Sequence, residues 1–544
     1  MCCMVKTVMK NKSSLASLST APVEKPAVKA VIDIGATAIR MMIAEIGKNL
    51  SVRPVESLEQ SVDLGRDTFS TGKISLETIE ACVQVCRDFS ELLREYQITD
   101  PACIRAVATS AVAEASNSDV LIDRIFMATS ISVDILDSAE INRLTYFSIL
   151  PLLQKEQSFC QGNLLAIEVG GGNTTALGLR DGAVLFAHTY RFGSFRTREM
   201  LEDVHLPAAR FRDLIEGEIR SGVRPIIQNF ADEKEVKILI LGSDARLAAD
   251  QIKPGWNSRP AVSLRISALA RFTDQVLGVP VEELVREYNL PFAAAESLGP
   301  ALLVMKTVPQ LLNCKTVYIG VPSMRDGLLG EMAAGGSWDE RFTKQIINSA
   351  LEIGRHYHFD RKHAENVAAH ARDIFRIMQS EHKMLLRYET ILTVAALLHD
   401  TGTFINTRSH HKHSQYLIEN SDIFGLSKQD LTLVALTARY HRSALPRPTH
   451  TAYTALPRLD RLRVSKLAAI LRVADALDRG HAQRVRNPKI ELFPDRLQIG
   501  VPGLRDCAVE EIALGEKSDL FEQVYGKRAV LVKCSERESD CHDR

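Results

Sequence analysis

Little in these 544 residues is in excess, and each shortage excludes something. Lysine plus arginine and aspartate plus glutamate number 67 each, so no net charge steers the chain toward a nucleic-acid duplex or a membrane surface. Any anion site must therefore be local. The ten cysteines are scattered and none forms a C-x-x-C pair, which argues against a disulfide framework and for a reducing, cytoplasmic setting. No uncharged apolar run approaches the roughly 20 residues of a membrane span. The opening "MCCMVKTVMKNKSSLASLST" lacks the apolar core of a secretory leader, and residues 1–26 read as a disordered basic tail. No repeat of solenoid length is present. What remains, 45% hydrophobic and 25% charged residues, is the composition of a globular protein. A chain of this length is expected to divide into three or four domains.

The organisation reads as two similar halves followed by a change of style. "AVKAVIDIGATAIRMMIAEIG" (27–47) is a pair of β-rich runs around Asp33 and Gly35, as in a hairpin. A helix over 74–96 has Ser75 as its N-cap, and Cys82 and Cys86 fall on one face of it. Residues 102–112 and 132–137 read as strands, and 138–153 as a capped helix. At 164 the same opening returns: strand, acid, glycine turn, strand. Two α/β lobes are expected, 27–154 and 155–335, facing each other across a cleft at the glycine turns. From 336 to 484 nearly every segment is helical, and 12 of the 15 histidines lie there. Strands return in a small α/β unit, 485–536, before a short tail, 537–544.

Two features carry chemistry. In "LLAIEVGGGNTTALGL" (164–179), three successive glycines follow a buried strand, although each loses more backbone entropy on ordering than any other residue. Either a phosphate approaches the main-chain N–H groups there, or the glycines only form a tight hairpin turn. The second feature is the apolar helix "ETILTVAALLHD", which delivers His399 and Asp400 to the edge of a core.

"VIDIGATAIRMMIAEI", "RAVATSAVAEASN", "ILDSAEINRLTYFSI", "AIEVGGGNTTALGL", "RFGSFRTREM" and "SMRDGLLGEM" occur in the order found in the Ppx/GppA family. That family comprises exopolyphosphatases and guanosine pentaphosphate phosphohydrolases of the actin-like, ribonuclease H-like superfold. The resemblance spans roughly 28–535. It implies a fold of two actin-like α/β lobes, an all-α domain and a small C-terminal α/β unit. It also implies a polyphosphate or nucleotide polyphosphate as partner, a divalent metal and a homodimer. Carried over by motif, Asp33, Gly35, Thr37, Gly170, Gly171, Gly172, Asn173 and Arg325 are expected at the phosphates.

The chain departs from the family where chemistry is expected. The first loop reads Asp33-Ile34-Gly35-Ala36-Thr37-Ala38 in place of D-x-G-(S/T)-N-(S/T). Ala113 stands where the family has an arginine, and Ile141 where it has its general base. Glu140 is next door, but one step along a helix rotates a side chain by about 100°. Glu168 replaces an aspartate, and Asp244 enters a loop that should hold phosphate. A base is worth a factor of about 10²–10⁴, so the cleft should be slow, with Glu168 and Glu140 as the remaining catalytic candidates.

The helical segment resembles the HD-type domain of longer family members. On that resemblance His363, His399, Asp400, His413, His441 and Asp475 match the metal-binding pattern, with His410 and His411 able to replace His413. Such a set suits one or two ions of Mg²⁺, Mn²⁺, Fe²⁺ or Zn²⁺, with Asp400 as the catalytic bridge. Three readings follow: a phosphohydrolase of the family's usual kind, one whose chemistry has moved to the HD centre, or a non-catalytic sensor of polyphosphate or alarmones.

Overall fold

A computed structural model describes residues 27–47, 51–202, 208–228, 230, 235–256, 259–334, 340–442, 444–502 and 506–534. Both expected tails, 1–26 and 537–544, lie outside the described residues. No helix among the described residues is long and apolar enough to cross a membrane.

The first sheet is built from β1 (Ala27–Ile34), β2 (Ala38–Ile46), β3 (Val52–Ser61), β4 (Ile104–Ala108) and β5 (Val133–Ile135), in the order β3-β2-β1-β4-β5. β1 to β3 form an antiparallel meander, and β4 joins β1 in parallel after the helix Leu76–Glu95. Ser75 caps that helix by accepting from the Thr78 N–H at 3.2 Å, as its sequence predicts. The strand expected over 102–112 is shorter, because the chain turns into a one-turn helix at Ser110–Ala113.

The second sheet repeats the first. β6 (Asn163–Val169), β7 (Thr174–Arg180) and β8 (Ala183–Tyr190) form the meander, and β9 (Val236–Leu241) joins β6 in parallel. β10 (Ala261–Arg265) and β11 (Thr316–Gly320) complete the order β10-β11-β9-β6-β7-β8. In both sheets the glycine turn lies between the first two strands.

Strand alternation decides where the two acids point. Ile32 and Ile34 belong to the core under one face of β1, while Val31 belongs to the opposite cluster with Leu144, Leu328 and Leu329. Asp33, two residues on from Val31, takes that second face. On β6, Leu165, Ile167 and Val169 fill one core, and Leu164 and Ala166 fill another with Ile149 and Leu152. Glu168 shares the face of Leu164 and Ala166. The helix Ser138–Lys155 packs on that face of both sheets, so both acids turn toward it.

The helices from Glu340–His356 to Arg458–Ala476 share one continuous apolar core with one face of the second sheet. β12 (Lys489–Leu492), β13 (Arg496–Pro502) and β14 (Arg528–Cys534) form a third sheet, flanked by helices Ala508–Lys517 and Asp519–Tyr525.

Candidate functional site

The two glycine turns are built alike. Gly35 N–H donates to the Ala38 carbonyl at 3.0 Å, and Gly170 N–H to the Asn173 carbonyl at 2.9 Å. Together they line a cavity of about 460 Å³. Asp33, Gly35, Thr37, Glu168, Gly170, Gly171, Gly172, Asn173 and Arg325 all face it, so the structure brings these expected residues to one place.

Two of the three glycines have a packing cause within the fold. A Cβ on Gly172 would sit 2.2 Å from Ser110 Oγ and 2.7 Å from the Phe69 ring, and one on Gly171 would press on Ala36 of the opposite turn at 3.2 Å. None of the three needs a left-handed backbone. The two turns touch, and close approach of protein to protein is what excludes side chains.

Glu140 is not part of this cavity. Its carboxylate accepts from the Asp137 N–H at 3.1 Å, while Asp137 accepts from the Glu140 N–H at 2.9 Å: a capping box that starts the helix Ser138–Lys155. Ile141, one step round the helix, is the residue that faces the cavity. Glu140 therefore leaves the catalytic candidates, for the rotational reason its position suggested. One turn further, Thr145 donates to Glu168 at 3.2 Å.

Sequence reasoning missed two cations here. Arg40 lies directly across the hairpin from Asp33, with a guanidinium nitrogen 3.3 Å from where a Gly35 Cβ would sit. Arg246, two residues beyond Asp244 on the helix Ser243–Ile252, lines the same space. The register Asp33↔Arg40 was the available signal for the first. Burial raises the carboxyls of Asp33, Glu168 and Asp244 despite these cations; Asp244 is pushed up to about 6. One buried oxygen of Asp33 has no hydrogen-bond partner.

The second site lies among the helices. His363 comes from the helix Arg361–Ile377, His399 and Asp400 from the end of Arg387–Leu398, and His410 from the start of His410–Glu419. His441 follows Lys428–Arg439, and Asp475 ends Arg458–Ala476. His363, His399, His441 and Asp475 are at most 5% exposed.

Each imidazole is fixed by its outer nitrogen. Nδ1 of His399, His441 and His410 lies 2.7, 2.7 and 3.0 Å from the carbonyls of Ala396, Ala438 and Thr407, and Nδ1 of His363 lies 2.9 Å from Asp478. A carbonyl only accepts, so the proton sits on Nδ1 and a bare Nε2 points inward in the neutral ring. Those inner nitrogens crowd together: His363 and His399 meet at 3.3 Å, and so do His410 and His441. Two lone pairs at that distance repel unless a proton or an ion lies between them.

Asp400 spans the pairs. Its Oδ2 is 3.6 Å from His399 and 4.0 Å from His363, and its Oδ1 is 3.1 Å from His410 and 3.4 Å from His441. Asp475 Oδ1 lies 3.7 Å from His363 and 3.8 Å from His399. Burial alone would raise both carboxyls, but the imidazoles, with Lys517 beside Asp475, hold them well below the usual range. Three overlapping groups of donors fall within 4.8 Å of one another: His363, His399 and Asp400; His399, His441 and Asp475; Asp400, His410 and His441.

His413 is absent from these groups, and His410 stands in its place. Gly402 is the reason. A Cβ there would lie 2.1 Å from the His410 carbonyl and 2.8 Å from the His413 Cβ, so the helix His410–Glu419 packs directly on the Gly402 backbone. Gly402 N–H donates to Ser414 Oγ at 2.9 Å, and Ser414 donates to the His399 carbonyl at 2.6 Å. That docking spends the His413 position on packing and leaves His410, a turn earlier, over Asp400.

Two sheets of one topology, each presenting a glycine turn and an acid to a shared cavity, define an actin-like α/β protein. The chain belongs to the Ppx/GppA phosphatase family: that family's pattern matches residues 42–334, and the pattern for Ppx/GppA phosphatase domain III matches 347–514. It is 23% identical over 455 residues to a guanosine-5'-triphosphate,3'-diphosphate pyrophosphatase of Vibrio atlanticus, covering 82% of this chain and 87% of that one. A protein of the same name from Pseudoalteromonas translucida is 23% identical over 431 residues, with 77% and 81% covered. An exopolyphosphatase from Cytophaga hutchinsonii shares the fold, with a TM-score of 0.52 at 19% identity, over 57% of this chain and 98% of that one. The relatives are thus named as hydrolytic enzymes.

Proposed function

We propose that the chain is a phosphohydrolase acting on phosphoanhydride bonds of polyphosphate or a guanosine polyphosphate. Its chemistry is assigned to the imidazole–carboxylate cluster of an HD-type helical domain, about residues 336–484. The cavity between the sheets is read as a degraded active site. One observation carries this: four imidazoles fixed at Nδ1 turn their Nε2 atoms inward around Asp400.

The donor set fits divalent ions. His363, His399 and Asp400 would hold one, with Asp475 Oδ1 beside His363 and His399, and Asp400, His410 and His441 would hold a second. An imidazole-rich set favours Mn²⁺, Fe²⁺ or Zn²⁺ over Mg²⁺. Bound there, the metal would supply a hydroxide nucleophile near neutral pH and counter-charge for phosphoryl oxygens. The chain's own part is orientation. Asp478 fixes the His363 tautomer, and the His481 ring stacks on His363 at 3.7 Å.

The cavity supports the other half of the reading. Ile141 cannot accept a proton, and no ionisable side chain of the helix Ser138–Lys155 lines the space. Arg40, Arg246 and Arg325 still favour anions there, which supports the alternative of a polyphosphate- or alarmone-binding regulatory protein. Metal analysis of the purified full chain, followed by phosphate release from polyphosphate and guanosine pentaphosphate with and without chelator, tests the proposal. Release that needs the ion is expected. Release unaffected by a strong chelator would move the chemistry back to the cavity, and none under any ion would favour the regulatory alternative.

A further inference from the structure

Lys517 ends the helix Ala508–Lys517 in the C-terminal part of the chain, yet it is only 8% exposed. A lysine is almost never buried unless it is paired. Its ammonium donates to Oδ2 of Asp475, itself 5% exposed. The two oxygens of Asp475 are thereby divided: Oδ2 is held by Lys517, and Oδ1 faces the inner nitrogens of His363 and His399.

A second contact locks the first. Arg472, one turn before Asp475 on the same helix, is fully buried. It donates through Nε to the carbonyl of Lys517 at 2.7 Å and through a terminal nitrogen to Asp519 at 2.5 Å. The side chain of Lys517 thus grips the helix of Asp475, and a side chain of that helix grips the backbone of Lys517. The ammonium has one place to be.

We propose that Lys517 is a positioning residue of the imidazole–carboxylate cluster, limiting Asp475 to one ligand oxygen and making the C-terminal unit a wall of the site. This rests on the metal reading above. A carboxylate with both oxygens free can chelate an ion; with Oδ2 held it contributes a single bond, which leaves a coordination position for water or substrate. The ammonium also opposes the charge of an incoming cation. Both effects make the site bind its ion less tightly than its ligands alone would allow.

The sign of the effect separates this from a merely structural role. Calorimetric titration of chelator-stripped full-length protein with Mn²⁺ reads it, with thermal unfolding followed in parallel. Lys517→Met should tighten Mn²⁺ binding about tenfold, since a nearby positive charge is lost and Asp475 is free to chelate. Lys517→Arg, which keeps the cation, should stay within about threefold of the parent. Lys517→Gln keeps a donor but drops the charge, and carries the same test if the methionine variant misfolds. Equal or weaker Mn²⁺ binding in the charge-removed variant overturns the proposal. Asp475→Asn distinguishes the failures: if it weakens Mn²⁺ binding while loss of the Lys517 charge does not tighten it, only the role of Lys517 falls. If the parent binds no Mn²⁺, the metal reading falls and this inference falls with it.

Discussion

The cavity between the sheets and the cluster among the helices both gather buried carboxylates, but they treat that charge in opposite ways. In the cavity the partners are guanidiniums at a distance, and burial prevails: Asp33, Glu168 and Asp244 are all pushed toward their neutral forms. In the cluster imidazoles are packed against Asp400, and Lys517 with imidazoles against Asp475, and both carboxyls are held below the usual range. The cavity sets Arg40, Arg246 and Arg325 among Asp33, Glu59, Glu168 and Asp244, with Arg40 paired to Glu59 at 2.9 Å. The cluster has fixed anions among bare ring nitrogens, which suit a cation. The two sites thus treat carboxylate charge differently, and the proposed function places hydrolysis in the second.

The comparison can be broken at its packing first. Gly402→Ala should destabilise the chain by about 2–4 kcal/mol, because the new Cβ meets backbone that cannot move aside. Gly170→Ala, whose Cβ would meet only the Asn173 carbonyl at 3.2 Å, should cost under about 1 kcal/mol. Chemical denaturation of the two variants measures both. Equal losses would mean that the helix His410–Glu419 does not rest on Gly402.

A sharper contrast lies within one helix. His410→Ala should weaken Mn²⁺ binding by about 100-fold, whereas His413→Ala should change it by less than about twofold. The reverse order in a calorimetric titration would restore His413 to the cluster and remove His410.

Asp244 gives the cavity a pH signature. Its carboxyl rises from an ordinary 3.8 to about 6, so the native state holds that proton more tightly than the unfolded chain. Stability from this group is therefore lost as pH climbs from about 4 to about 6. Because Asp244 is only half-buried, the loss is on the order of 1 kcal/mol. Asp244→Asn should stabilise the chain by about that much at pH 8 and by much less at pH 4.5. A gain independent of pH would show that the carboxylate carries no such penalty. Smallest of all, Ile141→Glu should raise phosphate release by the full chain less than about tenfold, since the arginine and loop hydroxyls stay missing.

Much of the fold was legible because it repeats. Strand, acid, glycine turn and strand occur twice, and period-two burial in β1 and β6 sets Asp33 and Glu168 on matching faces. The convergence of His363, His399, Asp400, His441 and Asp475 was legible from the family pattern, but the choice between His410 and His413 was not. Both lie on one helix, three residues apart, and only the Gly402 contact decides which reaches Asp400. Glu140 failed as a site residue for a local reason, the capping box with Asp137, which S-A-E after an aspartate already signalled. Arg246 and Lys517 were out of reach of the sequence, because each acts across elements that only the tertiary fold brings together.

The account turns on which of the two sites does the chemistry, and two substitutions in the full chain decide it. Phosphate release from polyphosphate and from guanosine pentaphosphate should be compared for the parent, Asp400→Ala and Glu168→Gln under saturating Mn²⁺. Asp400→Ala should fall by at least about 10³-fold, and Glu168→Gln should stay within about threefold of the parent. Loss of release in Glu168→Gln with Asp400→Ala unaffected would contradict the account and return the reaction to the cavity between the sheets.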